Sequence, residues 1–127
     1  MSRIRSFQKL PDAAKEEILE WINRWIKECE ESYEAMAKDP TDIEGIVYDV
    51  KREFYDECDA YSLKIYEICD KYGFEWTAFR MTSASISIGV MHTPIEDIEL
   101  PNRVKDMLNK FKEKYFNKGD KNENKNN

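Results

Sequence analysis

Apolar residues recur at helical spacing over most of the first 72 positions. From residue 12 to about residue 38 they follow one another at intervals of three, four and seven. A second stretch, from Val47 to Tyr72, alternates threes and fours without a break. The pattern predicts two long helices, at about 12–38 and 42–72, and a short connection between them favours an antiparallel hairpin. We expect Val50, Phe54, Tyr61, Ile65 and Ile68 to lie on the buried side of the second helix.

Turn and cap signals set the ends of these two helices. Pro40 ends the first helix, because its ring prevents helical hydrogen bonding and restricts the residue before it. Thr41 and Glu44 have the spacing of a capping box, which predicts the start of the second helix. Gly73 follows the last apolar position and is the expected stop.

The period of the pattern changes after Gly73. Small polar residues alternate with Ala84, Ile86, Ile88 and Val90, which is typical of a half-buried strand. We interpret 74–91 as a β-hairpin that turns near Thr82 and Ser83; a helix of weak propensity is the alternative. A third helix is predicted at about 101–116, with its apolar side formed by every third or fourth residue.

The predicted fold class is therefore α+β, mainly α: a long helical hairpin, a β-hairpin and a C-terminal helix. A chain of 127 residues has the length of one ordinary domain, which we place at 1–116. Residues 117–127 are almost entirely polar and are expected to form a disordered tail.

Composition indicates a cytoplasmic protein. No apolar run is long enough to cross a bilayer, and the N-terminus lacks the apolar core of a signal peptide. The three cysteines (Cys29, Cys58 and Cys69) are odd in number and show no metal-binding spacing. We expect buried free thiols rather than a disulfide framework.

The distribution of charge points to a basic partner. The formal net charge is −6, and residues 12–75 hold nineteen acidic residues against eight basic ones. Both ends of the chain carry a positive excess. An acidic middle attracts basic protein surfaces, and direct nucleic-acid binding is not expected of it.

One pair of acidic motifs resembles a known metal site. Helix 1 contains EExxE and helix 2 contains ExxD, which together are similar to the Mg²⁺-binding pattern of the all-α nucleoside triphosphate pyrophosphohydrolases of the MazG type. The resemblance covers about 45 residues and implies that five carboxylates hold Mg²⁺, which activates water against a nucleotide's phosphates. These carboxylates are Glu30, Glu31, Glu34, Glu53 and Asp56.

Helical geometry favours a different role for the same acids. Glu53 lies about 100° and Asp56 about 160° from the centre of the apolar side of helix 2. Glu31 and Glu34 lie about 150° from that of helix 1, so both halves of the motif are expected to face away from the hairpin. We call the exposed row on helix 2 the acidic arc; its members are Asp49, Glu53, Asp56, Glu67 and Asp70.

The preferred hypothesis is a small non-catalytic binding protein with no cofactor, as found in phages and mobile elements. Its acidic arc would block or recruit a basic, nucleic-acid-binding protein, because carboxylates spaced along a helix imitate phosphates in sign and spacing. The Mg²⁺-dependent hydrolase is the first alternative. The second is a nucleotide or small-molecule binder that uses the β-hairpin, with Trp76, Arg80 and His92 at the site. Two apolar sides on helix 2 also predict a homodimer.

Overall fold

Four α-helices account for most of the chain that the structure describes. The computed structural model describes residues 4–38, 48–92 and 98–116, and the side chains of all of these except 38, 48–51, 78 and 87–92. The helices are α1 (Asp12–Lys38), α2 (Tyr48–Lys71), α3 (Thr77–His92) and α4 (Leu100–Phe116), and a short 3₁₀ turn precedes them at Phe7–Lys9.

Helix α1 is the centre of the fold, because α2 and α4 both pack against it. Glu17 near its start contacts Tyr72 at the end of α2, whereas the Trp25 indole donates a hydrogen bond of 3.3 Å to the Cys58 sulfur. Helix α2 therefore runs antiparallel to α1, as the sequence predicts. Helix α1 has the predicted bounds, and α4 begins one residue earlier than predicted.

The core lies between the apolar sides of α1, α2 and α4. Phe54, Ile65 and Ile68 are buried on α2, and Tyr61 is half-buried beside them. The side chain of Val50 lies outside the described residues. A cluster of stacked and edge-on aromatic rings closes one end of the core; its members are Phe7, Phe74, Trp76, Phe79, Phe111, Tyr115 and Phe116.

Gly73 ends α2 as predicted, one residue after the last helical turn. Its φ of 67° lies in the left-handed region that only glycine adopts without strain. The Phe74 amide donates to the Cys69 carbonyl at 2.8 Å and the Gly73 amide to the Asp70 carbonyl at 3.1 Å, which is a Schellman motif. The predicted break at Pro40, the capping box of Thr41 and Glu44 and the 117–127 tail lie outside the described residues.

The predicted β-hairpin at 74–91, and with it the α+β fold class, is wrong. Residues 77–92 form α3, and the described part of the chain has no strand, only one isolated parallel bridge between Ile4 and Phe74. Phe79, Ser83 and Ile86 are the buried positions, at intervals of four and three, whereas Ala84 is exposed. The Ser85 hydroxyl donates to the Met81 carbonyl one turn back, so this serine is satisfied within the helix.

No helix in the described ranges has both the length and the apolar character needed to cross a membrane.

Candidate acidic groove

A groove opens between the second half of α1 and the first half of α2. It encloses about 280 Å³. We call it the acidic groove, and its lining residues are Glu28, Glu31, Ser32, Ala35, Glu53, Phe54, Asp56 and Glu57. Five of these eight residues carry a carboxylate, and none carries a positive charge.

Matching spacings on the two helices bring these carboxylates together. Glu28 and Glu31 lie three residues apart on α1, and Glu53 and Asp56 lie three residues apart on α2, so each pair occupies one side of its helix. The ring of Phe54 is 1% exposed and fixes α2 against α1 at this level. The antiparallel arrangement then places the two pairs on opposite walls of the same groove.

The groove is electrostatically unfavourable for its own carboxylates. The pKa of Glu28 is raised above its usual range, first because the side chain is partly desolvated and next because Glu57, Glu31 and Glu53 are negative neighbours. A hydrogen bond of 3.3 Å from the Ser32 hydroxyl opposes part of this shift. A cation bound in the groove would relieve the repulsion, and the charged form of Glu28 would then be favoured.

The position of the groove differs from the helical-wheel expectation. Glu31, Glu53 and Asp56 are exposed, as expected, but they do not face away from the hairpin. They border the seam between the two helices, where side chains of glutamate length reach the same space. The spacing of three residues within each acidic pair can be read from the sequence. Whether the two pairs face each other depends on how the packed helices are rotated about their axes.

The five-carboxylate pattern does not form a metal centre here. The Glu30 carboxylate accepts a hydrogen bond of 2.8 Å from Lys105 on α4, and Glu34 is exposed and does not line the groove. Within the described ranges, no group of three or more histidine, cysteine, aspartate or glutamate side chains is arranged to hold a metal ion. The structure therefore does not bring the five carboxylates of the MazG-type pattern together at one site.

Two further members of the acidic arc, Glu67 and Asp70, lie outside the groove. Glu67 is exposed and pairs with Lys64 at 3.8 Å, and Asp70 is exposed near the end of α2. The side chain of Asp49 lies outside the described residues. The arc is thus divided into the groove acids and a distant pair.

The ligand site predicted on the hairpin is not assembled. Trp76 is buried in the aromatic cluster, whereas Arg80 is exposed and its guanidinium lies 5.7 Å from the ring centre of Tyr66. His92 is the last residue of α3, and its side chain is not described. The hairpin that was expected to join these residues is a helix, in which Trp76 and His92 lie at opposite ends.

Sequence reasoning missed Glu28 and Glu57, which complete the groove. The signal available for them was their spacing of three or four residues from acids already selected: Glu28 from Glu31, and Glu57 from Glu53.

No protein-family model matches the chain, and no curated protein or solved structure is significantly similar to it.

Proposed function

We propose that the protein is a small non-catalytic binding protein whose acidic groove takes a basic side chain of a protein partner. One observation carries this proposal: five carboxylates converge on a groove of about 280 Å³, and none of its described lining residues is a cation. A bound guanidinium or ammonium group would neutralise charge that the fold leaves uncompensated there.

Arginine is the side chain that fits this arrangement best. Its planar guanidinium has five N–H donors and forms paired hydrogen bonds with carboxylates, which lie here on two facing walls. Ala35, which is half-buried in the lining, provides apolar surface for the methylene groups behind the charged head. Arginine therefore gains both hydrogen bonds and contact area, whereas lysine would act as a point charge.

The class of partner follows from the length of the acidic surface. Glu67 and Asp70 extend the negative charge along α2 beyond the groove, so a partner with several basic side chains would be attracted over a longer distance. Nucleic-acid-binding proteins present such surfaces. A small protein that occupies one of them blocks or recruits it, as phages and mobile elements require, and the three free buried cysteines suit the cytoplasm.

The test is calorimetric titration with a hexa-arginine peptide at low and at physiological salt. We compare wild type with the double variant Glu53→Gln and Asp56→Asn, which removes two groove charges and keeps the side-chain shapes. The control is Glu16→Gln with Asp106→Asn, which removes the same charge from exposed positions that do not line the groove.

We expect the groove variant to lose about tenfold in affinity, corresponding to about 1.4 kcal/mol, and the control to lose much less. Equal losses in the two variants would mean that net charge alone attracts the peptide. The proposal of a specific groove would then be wrong, although a general acidic surface would remain.

A second candidate function is Mg²⁺-dependent hydrolysis of a nucleoside triphosphate. It is favoured by the fact that Glu31, Glu53 and Asp56, three of the five carboxylates in the pattern, line one groove. It is placed second because Glu30 is paired with Lys105 and Glu34 lies outside the groove. Calorimetric titration with Mg²⁺ and an assay for pyrophosphate release separate the two candidates. Turnover that is abolished by Glu31→Gln and by Glu53→Gln would replace the binding proposal.

Homodimer formation also belongs to the proposal. Leu63 and Met81 are 53% and 68% exposed, which makes them the large apolar side chains that a second copy could cover. Analytical ultracentrifugation of wild type and of the variant Leu63→Asp with Met81→Asp tests this, and a dimer that the variant does not weaken would use another surface.

A further inference from the structure

A second cleft lies at the aromatic end of the core and shares no residue with the acidic groove. It encloses about 390 Å³, which is within the range of small-molecule sites. We call it the aromatic cleft, and its lining residues are Arg5, Phe7, Glu75, Trp76, Thr77 and Tyr115. Three separate segments form it: the N-terminal stretch, the connection before α3 and the last turn of α4.

The walls of the aromatic cleft are fixed by backbone hydrogen bonds and ring contacts. The Ile4 amide donates to the Gly73 carbonyl and the Glu75 amide to the Ile4 carbonyl, both at 2.9 Å, so two of the three segments are tied together. The Trp76 ring stacks on Phe7 with ring centres 5.2 Å apart, and Tyr115 stands perpendicular to it at 5.3 Å. Such a cleft exists before any ligand binds.

Trp76 carries a polar group that the fold leaves unpaired. The residue is 5% exposed, and its indole N–H is the one buried side-chain nitrogen or oxygen in the described ranges without a hydrogen-bond partner. Buried polar groups are satisfied in most native structures, so this one needs an acceptor from elsewhere. Helix α3 begins next to it at Thr77 and has no acidic residue in its first turn, so the positive end of the helix dipole lies beside the cleft.

Arg5 provides a charge that is only weakly engaged. Its side chain is 85% exposed, and the nearest atoms of the Arg5–Glu75 pair are 3.5 Å apart, which is beyond a good charge-assisted hydrogen bond. An anionic ligand would compete with Glu75 for this guanidinium. Exposed pairs of this kind contribute little to stability, so the exchange costs the fold little.

We propose that the aromatic cleft binds a small planar aromatic anion. The ring of the ligand packs against Phe7 and Tyr115, its negative group pairs with Arg5 and the start of α3, and an acceptor atom meets the Trp76 indole N–H. An aromatic carboxylate and a nucleoside monophosphate share this chemistry.

The experiment follows the indole N–H resonances in ¹H–¹⁵N spectra of the full chain during titration. The probes are benzoate, benzamide, acetate, adenosine 5′-monophosphate and inorganic phosphate. Trp76→Phe assigns the Trp76 resonance, and Trp21 and Trp25, which do not line the aromatic cleft, are internal controls. We expect benzoate or the nucleotide to shift the Trp76 resonance in a saturable way. Benzamide and acetate should bind at least about tenfold more weakly than benzoate, and phosphate at least about tenfold more weakly than the nucleotide.

Two variants test the charge assignment without changing the aromatic walls. Arg5→Gln should weaken binding about tenfold, and Glu75→Gln should strengthen it, because the competing carboxylate is removed. The relative affinity of benzoate and the nucleotide shows whether the cleft prefers an aromatic carboxylate or a nucleoside monophosphate. The proposal fails if the Trp76 resonance does not move at about 10 mM of either probe, far above a millimolar dissociation constant. The proposal also fails if Arg5→Gln leaves the affinity unchanged.

Discussion

The ammonium group of Lys105 on α4 lies 2.8 Å from a carboxylate oxygen of Glu30 on α1. This ion pair joins two helices that pack antiparallel, and the hydrogen bond raises the pKa of Lys105 above its usual range. It also separates Glu30 from its neighbour in the chain, because Glu31 lines the acidic groove and Glu30 does not. Two consecutive glutamates thus have different surroundings.

This difference provides a matched pair of variants at adjacent positions. Glu31→Gln removes a charge from the groove, and we expect it to weaken binding of the hexa-arginine peptide by about threefold to tenfold, the effect of losing one typical hydrogen bond. Glu30→Gln has the same chemistry and should change the affinity by less than about twofold, since an exposed charge outside the site contributes little. Calorimetric titration of both variants is the measurement. Equal effects would contradict the division between the two residues.

Phe54 is expected to be a major contributor to stability. Its ring is 1% exposed between α1 and α2, so Phe54→Ala removes buried contacts and leaves a cavity. The free energy of unfolding should fall by about 3–5 kcal/mol. Arg52→Ala on the same helix is the control, because Arg52 is exposed, and it should change stability by less than about 0.5 kcal/mol. Urea denaturation of the two variants gives both values.

The raised pKa of Glu28 predicts a pH-dependent stability with a defined sign. The folded protein holds this proton more tightly than the unfolded chain, whose value is near 4.5. Stability therefore falls as pH rises from 4.5 through the raised pKa, because the folded state binds more protons over that window. Glu28→Gln should melt at a higher temperature than wild type at pH 7, and the difference should disappear at pH 4.

Glu17 gives the opposite sign and is the control for this experiment. The phenol of Tyr72 donates a hydrogen bond to its carboxylate and, with Lys71, lowers its pKa below the usual 4.5. The stability that this contact contributes is present above pH 4.5 and is lost as pH falls through the lowered value. Glu17→Gln should therefore melt at a lower temperature than wild type at pH 7, and the difference should shrink in acid. Melting curves that shift in the same direction for both variants would contradict the assigned surroundings.

The three cysteines are expected to be unreactive in the folded protein. Burial raises the pKa of Cys58 to about 12 and that of Cys69 to about 11, and it raises the pKa of Cys29 as well. The thiolate is the reactive form, so none should be labelled by a disulfide reagent within minutes at pH 8. In denaturant all three should react. Rapid labelling of one thiol in native buffer would show that its helix opens locally.

The sequence predicted the helices that bury one continuous side and failed where that signal is weak. In α1 and α2 the apolar residues are large and follow a period near 3.6. In α3 the small residues obscure the period: Ser83 is buried although it is polar, and Ala84 is exposed although it is apolar. Alternation of serine with aliphatic residues then resembles a strand. Phe79 and Ile86 pack into the core with the other helices, and this tertiary packing favours a helix at 77–92. Local propensity does not report tertiary packing.

Three of the five groove acids, Glu31, Glu53 and Asp56, could be predicted as residues, but their arrangement could not. Glu53 and Asp56 could be selected from their spacing, and their exposure follows from the helical wheel. Their proximity to Glu31 depends on the rotation of two packed helices about their axes, which small changes in core packing alter. The pairing of Glu30 with Lys105 joins residues 75 positions apart, and no local pattern indicates it.

The division of the acidic arc predicts two different kinetic effects. Glu67 and Asp70 lie eleven and fourteen positions beyond Asp56 on α2, or roughly 16 and 21 Å along the helix. That separation exceeds the screening length of about 8 Å at physiological salt, so these acids attract a basic partner but do not share a side chain bound in the groove.

Glu67→Gln with Asp70→Asn should slow association about twofold at low salt. The dissociation rate, and the association rate at physiological salt, should not change. Glu53→Gln with Asp56→Asn should instead speed dissociation at every salt concentration, because it removes contacts that exist only in the complex. Stopped-flow fluorescence with a labelled hexa-arginine peptide resolves both rates. If the distant pair changes dissociation as much as the groove pair does, the whole length of α2 is the contact surface, and the groove is not a separate site.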